Sequence, residues 1–213
     1  FIYAASSSCY GLANTPTDEN HEISTLYPYA LSKYIGETYA FHWNKIYNLP
    51  VNSLRIFNAY GPRVKTTGAY GAVFGVFLKQ KLEKKPFTVV GDGEQSRDFI
   101  YVTDVCNGFY KAALSDYNSE IFNIGEGIPK KINYLVKLLG NNNIEYLPDR
   151  PGEPKVTLAD IKKIKTFLKW NPEIKFEKGV KLMLENINYW KNAPLWDAKK
   201  ISEATKNWFQ YIK

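Results

Sequence analysis

Apolar residues fall into short continuous runs separated by stretches with helical spacing. The chain opens on Phe1-Ile2-Tyr3-Ala4-Ala5, the kind of run that fills a buried strand. Residues 6–27 are polar and read as loop. Pro28 suits the first turn of a helix, and apolar positions recur at helical spacing from Tyr29 to about Tyr47. Val51–Phe57 is a second buried-strand run, ending in Asn58-Ala59-Tyr60-Gly61-Pro62. Strand, helix, strand is the signature of a parallel α/β layer. The pattern then predicts a helix over about 72–84, a strand at 87–90, a Gly91-Asp92-Gly93 turn and a strand at 98–102. A helix over about 103–115 and a strand at 120–124 follow. The remainder reads as mainly helical, broken at Pro148, Pro151, Pro154, Pro172 and Pro194. A last helix over about 197–212 carries Ile201, Ala204, Trp208, Phe209 and Ile212 as a docking face. There is no internal repeat.

Composition narrows the class. The 213 residues are 45% hydrophobic and 23% charged, enough for one ordinary domain or somewhat more and unlike a disordered chain. No apolar run is long enough to span a membrane. Cys9 and Cys106 lie far apart and form no CxxC, which fits a reducing, cytoplasmic setting. His21 and His42 lack ligand spacing, so no metal site is expected. The net charge of +7 is spread over lysines with no basic stripe interleaved with aromatics, so nucleic acid is not an expected partner. The strand-like run at residue 1 has no lead-in, and a strand needs paired neighbours. The chain is therefore expected to be the C-terminal portion of a longer protein. Gly68-Ala69-Tyr70-Gly71-Ala72-Val73-Phe74-Gly75 imitates a dinucleotide-binding glycine loop, but it follows a polar segment and not a strand.

Candidate chemistry begins with Tyr29 and Lys33, which share a helix face at i, i+4. An ammonium beside a phenol favours the phenolate, and such a tyrosine can take a proton from an alcohol. In a chain with sixteen tyrosines and many more lysines that spacing arises by chance, so its context matters. Upstream, a strand delivers Ser6-Ser7-Ser8-Cys9-Tyr10-Gly11 at its C-terminal end, where open parallel sheets bind ligands. Among 28 basic residues only four are arginine, and Arg63, Arg97 and Arg150 sit in loops or at strand starts. A guanidinium fork suits a pyrophosphate. Arg55, inside a strand, reads as structural, and Arg63 as a loop residue of open role.

Four ordered blocks carry a resemblance: Ser6 to Gly11; Pro28-Tyr29-Ala30-Leu31-Ser32-Lys33 with Gly36-Glu37; Leu54 to Arg63; and Gly91 to Val102, followed by Phe122-Asn123-Ile124-Gly125. Together they resemble the extended short-chain dehydrogenase/reductases, specifically the NAD-dependent nucleotide-sugar epimerase/dehydratase family. The resemblance implies an α/β fold. Residues 1–64 would be the C-terminal part of a Rossmann-like, doubly wound parallel sheet whose glycine loop lies upstream. Residues 65–213 would be mainly a smaller mixed α/β substrate-binding domain, with about 98–124 returning to the Rossmann core.

The same resemblance implies roles. Ser6 would bridge a sugar hydroxyl and Tyr29, Tyr29 would be the acid/base, and Lys33 would bond the nicotinamide ribose. Hydride would leave the sugar for NAD (NADP is left open) and return to the opposite face. Asn58, Arg97 and Arg150 would hold the sugar diphosphate and Glu153 the nucleotide ribose, while Phe87–Val90 would line the base slot. Members that dehydrate or decarboxylate carry an acidic residue two positions after the catalytic Ser or Thr, and 4,6-dehydratases an Asp-Glu pair. Here Ser7 and Ser8 follow, and Cys9 reads as packing. Elimination needs a general acid, so 4-epimerisation of a UDP-hexose is the expected reaction. A dehydratase, decarboxylase or heptose 6-epimerase, or a non-catalytic binding fragment, are the alternatives. The family's dimers pair two helices per subunit in a four-helix bundle. The Tyr29–Tyr47 and 103–115 helices are the candidates, so a homodimer is expected of the intact protein.

Overall fold

A computed structural model describes residues 1–68, 73–140 and 143–211. It divides the chain into two units. The first comprises Phe1–Ala59, Asp98–Pro129 and Val156–Ile174, and the second Tyr60–Arg97, Lys130–Lys155 and Lys175–Lys213.

The first unit is built on three parallel strands, β1 (Ile2–Ser6), β2 (Asn52–Ile56) and β6 (Ile121–Ile124), in the order β1-β2-β6. Ser6 stands opposite Ile56, which in turn stands opposite Ile124, so all three strands end at one edge. A 3-10 turn (Ser7–Tyr10) and helix α1 (Pro28–Tyr47) follow β1. Pro28 opens α1 at a position that has no N–H bond to lose, and Asn48 closes it in the left-handed conformation.

Alternation along β2 sends its side chains to opposite faces. Ser53 and Arg55 bond to Glu37 of α1. Leu54 packs with Phe122, Ile124, Val105, Ala112, Ile164 and Trp170, the core beneath helices α3 (Val102–Leu114) and α5 (Lys162–Leu168). Helices α1 and α3 therefore cover opposite faces of the sheet.

In the second unit α2 (Val73–Leu82) packs on β4 (Phe87–Val90), which pairs in parallel with β8 (Ile144–Leu147). Phe77 stacks on Phe87. Helices α4 (Ile132–Leu139) and α6 (Phe176–Glu185) pack together. The last helix, α7 (Ala198–Tyr211), docks through Ile201, Thr205 and Trp208, while Phe209 is exposed. The expected contribution of Ile212 and the glycine-rich stretch at 69–72 lie outside the described residues. Three of the chain's five passages between the units fall within strands: β3 (Asn58–Tyr60), β5 (Ser96–Tyr101) and β7 (Pro129–Lys131). No helix of the described residues is long and apolar enough to cross a membrane.

Candidate functional site

The predicted residues fall into two groups, one in each unit. In the first unit, Ser6 is the last residue of β1 and caps the 3-10 turn, its Oγ accepting from the Ser8 backbone N–H at 3.2 Å. Tyr29 is the second residue of α1 and 40% exposed. Lys33 lies one turn further on, and its Nζ donates to the carbonyl of Ala4 on β1 at 3.0 Å. That bond ties the start of α1 to the strand that carries Ser6. Lys33 also stands 5.9 Å from the centroid of the Tyr3 ring.

Tyr3 belongs to this neighbourhood and was not foreseen. It projects from β1 toward α1, and a Cβ at Gly36 would overlap its Oη. Burial raises its phenol above the ordinary value, with the charge of Glu37 and then Tyr29 adding to the effect. Glycine at position 36 is thus required by packing, which gives the Gly36-Glu37 pair of the motif a physical reason.

A buried polar network fixes the elements on which Ser6 and Tyr29 stand. Arg55 donates to Glu37 through Nε, at 3.2 and 3.1 Å, and through Nη2 at 2.6 Å. Ser53 Oγ donates to the same carboxylate at 2.7 Å. Arg55 Nη1 reaches Tyr10 Oη at 3.0 Å and the Glu19 carbonyl at 3.2 Å, and Tyr10 donates onward to Asn123 Oδ1 at 2.7 Å. Helix α1, the turn after Ser6, β2 and β6 are thereby joined. Burial acts to lower the Arg55 pKa, but the Glu37 hydrogen bond and charge, with Tyr10, raise it on balance. Arg55 is structural, as its place inside a strand implies. Cys9 is buried and burial pushes its thiol up to about 11, which suits packing and not nucleophilic work. Ser7 and Ser8 occupy the turn, and Ser8 Oγ is buried with no hydrogen-bond partner among the described residues.

Asn58 sits just beyond the end of β2, and Thr157 Oγ donates to its Oδ1 at 2.9 Å. Thr157 Oγ in turn accepts from the Asp98 backbone N–H at 3.1 Å. The Asp98 carboxylate is buried and accepts from the N–H groups of Ala159, Glu126 and Gly127. It clamps the segment that bears Thr157. Burial pushes Asp98 up to about 6 against those three donors, with the Glu126 charge adding. Thr157 gave no sequence signal, because its partner is 99 residues away.

In the second unit Arg97, Arg150 and Glu153 come together. Glu153 bridges the two guanidiniums, accepting from Arg150 Nη1 at 3.1 Å and from Arg97 Nη2 at 3.5 Å. Arg97 Nη1 also donates to the Ser96 carbonyl at 2.9 Å. These three residues line a cleft of about 360 Å³ with Val90, Gln95 and Lys155, within the size range of small-ligand sites. Val90 is the part of the expected base slot that reaches the cleft; Phe87 and Val89 are fully buried. Both guanidiniums reach this cleft, each paired with Glu153. Arg63 is exposed with φ +68°. No group of three or more His, Cys, Asp or Glu able to hold a metal occurs among the described residues.

Comparison with known proteins places this arrangement. The putative UDP-glucose 4-epimerase of Methanocaldococcus jannaschii is 37% identical over 90% of this chain and 63% of its own length. The UDP-glucuronate 4-epimerase of Thermodesulfobacterium geofontis is 36% identical over 84% of this chain and 56% of its own. The solved UDP-glucuronic acid 4-epimerase of Bacillus cereus, in complex with UDP-glucuronic acid and NAD, superposes with a TM-score of 0.81. It is 33% identical, over 88% of this chain and 61% of that one. The chain thus spans 56–63% of the length of these curated relatives. A family model described as GDP-mannose 4,6 dehydratase matches residues 1–183, from the strand that ends at Ser6 to beyond Glu153. With the strand-end serine, the Tyr29–Lys33 helix and the paired arginines all inside the matched region, the chain belongs to the GDP-mannose 4,6-dehydratase family.

Proposed function

We propose that this chain is part of an NAD-dependent nucleotide-sugar epimerase that inverts C4 of a UDP-hexose, an isomerase of carbohydrate metabolism. The observation that carries the reading is the strand end. Ser6 and the Tyr29–Lys33 helix turn offer proton-transfer groups, while Ser7 and Ser8 stand where an eliminating enzyme needs an acid. The names of the relatives, 4-epimerases of UDP-sugars, support it.

In this reading Tyr29 Oη removes the proton from the C4 hydroxyl and later returns it. Ser6 Oγ bridges that hydroxyl and Tyr29. Lys33 spends one of three N–H donors on Ala4 O, and the ammonium has two more for a ribose diol. The half-exposed Tyr29 and this partly committed ammonium suit the nicotinamide riboside end of NAD. When bound, NAD supplies the hydride acceptor and donor that no side chain provides. Arg97 and Arg150 hold the diphosphate, Glu153 takes the nucleotide ribose, and Asn58 contacts the sugar diphosphate. The free thiols of Cys9 and Cys106 suit the cytoplasm.

We further assign a homodimer to the intact protein. Leu31, Ile35, Tyr39, Trp43, Ile46 and Tyr47 form an exposed apolar stripe along α1. The other candidate helix, α3, exposes Tyr110 and Leu114 on the opposite face of the sheet. Sedimentation equilibrium should give a dimer that Tyr39→Glu with Trp43→Glu converts to monomer; a wild-type monomer would refute the assignment.

Incubating the intact protein with NAD and UDP-glucose or UDP-glucuronate, and following products by NMR, tests the reaction. The expected product is the C4 epimer of one of them at equilibrium with its substrate. A 4-keto-6-deoxy sugar or a pentose would instead establish elimination or decarboxylation.

A further inference from the structure

We infer that Thr157 is a positioning residue that fixes the orientation of the Asn58 side-chain amide, committing the site to a hydrogen-bond acceptor on the bound ligand. A phosphoryl oxygen of a nucleoside diphosphate is the acceptor of choice. The inference rests on the nucleotide-sugar reading and adds to it a residue and a direction.

The argument is one of hydrogen-bond bookkeeping. A threonine hydroxyl has one proton to donate. Thr157 Oγ receives the Asp98 N–H at 3.1 Å and lies 2.9 Å from Asn58 Oδ1. The Asp98 N–H fills one of the two hydroxyl lone pairs, and the hydroxyl proton goes to the amide oxygen. The amide then has its oxygen engaged and Nδ2 as its available donor. Among the described residues no protein acceptor is recorded for Nδ2. In the reversed orientation Nδ2 would donate to the remaining hydroxyl lone pair, the hydroxyl proton would lose Oδ1 as its acceptor, and a ligand would meet Oδ1, which repels phosphate. Thr157 is itself held on both sides: its Oγ by the Asp98 backbone, and its segment by the Asp98 carboxylate through the Ala159 N–H. The Thr17 backbone adds two bonds to the same segment, from its N–H to the Leu158 carbonyl and from the Asp160 N–H to its own carbonyl. A hydroxyl so constrained selects one of two amide rotamers that differ little in shape.

The chemistry predicts which replacements matter. Thr157→Val keeps shape and removes the hydroxyl; Thr157→Ser keeps the hydroxyl. If Thr157 acts through Asn58, its loss has no further effect once Asn58 is gone. The test measures UDP affinity by calorimetry for wild type, Thr157→Val, Thr157→Ser, Asn58→Ala and Asn58→Ala/Thr157→Val, all in the intact protein. Thr157→Val should weaken UDP about tenfold, the scale of one hydrogen bond to a charged group. Thr157→Ser should stay within about twofold, and the double variant should match Asn58→Ala. Equal UDP affinity of Thr157→Val and wild type, or additive losses in the double variant, would overturn the inference.

A second readout needs no ligand: the relaxation of the Asn58 Nδ2 protons in NMR. They should be rigid in wild type and Thr157→Ser and mobile in Thr157→Val. Identical relaxation in all three would overturn the inference. If wild type fails to bind UDP, the nucleotide-sugar reading falls, and the relaxation experiment still decides whether Thr157 orients the amide.

Discussion

Replacing Arg55 tests whether the buried network is one interacting unit. Arg55→Met would remove three N–H to carboxylate contacts of 2.6–3.2 Å and the donor to Tyr10 Oη. Glu37, with a side chain 3% exposed, would then be a buried carboxylate with Ser53 Oγ as its remaining recorded donor. Breaking a buried pair from one side costs about 3–5 kcal/mol, because the survivor keeps its desolvation penalty and loses its partner. That is about a fifth or more of the stability of a typical domain, and a fall in Tm of roughly 6–20 °C for a chain of this size. Glu37→Met strands the guanidinium in the same way. The double variant Arg55→Met/Glu37→Met removes both charges and should lie within about 2 kcal/mol of wild type. Urea unfolding followed by tryptophan fluorescence and far-UV circular dichroism at neutral pH gives the cycle. The expected coupling is at least about 4 kcal/mol, the two single losses less the small loss of the double variant, against 0.2–1 kcal/mol for an exposed pair. Additive single effects, with coupling below about 0.5 kcal/mol, would refute the reasoning.

Two further outcomes follow from the site. Burial holds Asp98 near 6 in the fold against an ordinary value of 3.8. Its contribution to stability is therefore fully present below about pH 4 and lost as pH rises through about 6, a change of about 3 kcal/mol. Asp98→Asn should flatten the stability profile over that window, and parallel profiles would contradict the assignment. Arg97→Met and Arg150→Met should each weaken UDP about 10–100-fold with kcat changed by less than about threefold, since a fork on a diphosphate binds ground and transition states alike. Lysine at either position should recover only part of the affinity; unchanged binding in the methionine variants would remove the arginines from the site.

The legibility of this chain varied with the range of the interactions concerned. Helix α1 was readable because Pro28 and the apolar stripe are local signals, and the strands of the first unit because each is a continuous apolar run. Strand β8 was missed: Ile144–Leu147 is half exposed, with Glu145 and Tyr146 outward, and is a strand only because β4 lies beside it. The docking face of α7 was assigned partly to Phe209, whereas Thr205 is buried there and bonds its hydroxyl to the Ile201 carbonyl at 2.8 Å. Ser6, Tyr29 and Lys33 could be named as candidates because their motif is contiguous or at helical spacing. Glu37 as the partner of Arg55, Tyr3 against Gly36, and Thr157 against Asn58 could not, since each pairing is made by the tertiary fold. Glu153 was expected at a ribose, and the fold also sets it between two guanidiniums, whose combined charge draws a carboxylate whatever ligand follows.

The central claim is that the Tyr29 phenol carries the proton at the sugar hydroxyl, and Tyr29→Phe tests it most directly. With the intact protein, NAD and a UDP-hexose that wild type epimerises, the turnover of Tyr29→Phe should fall at least about a hundredfold while UDP affinity stays within about threefold. Turnover retained above about a tenth of wild type would contradict the assignment.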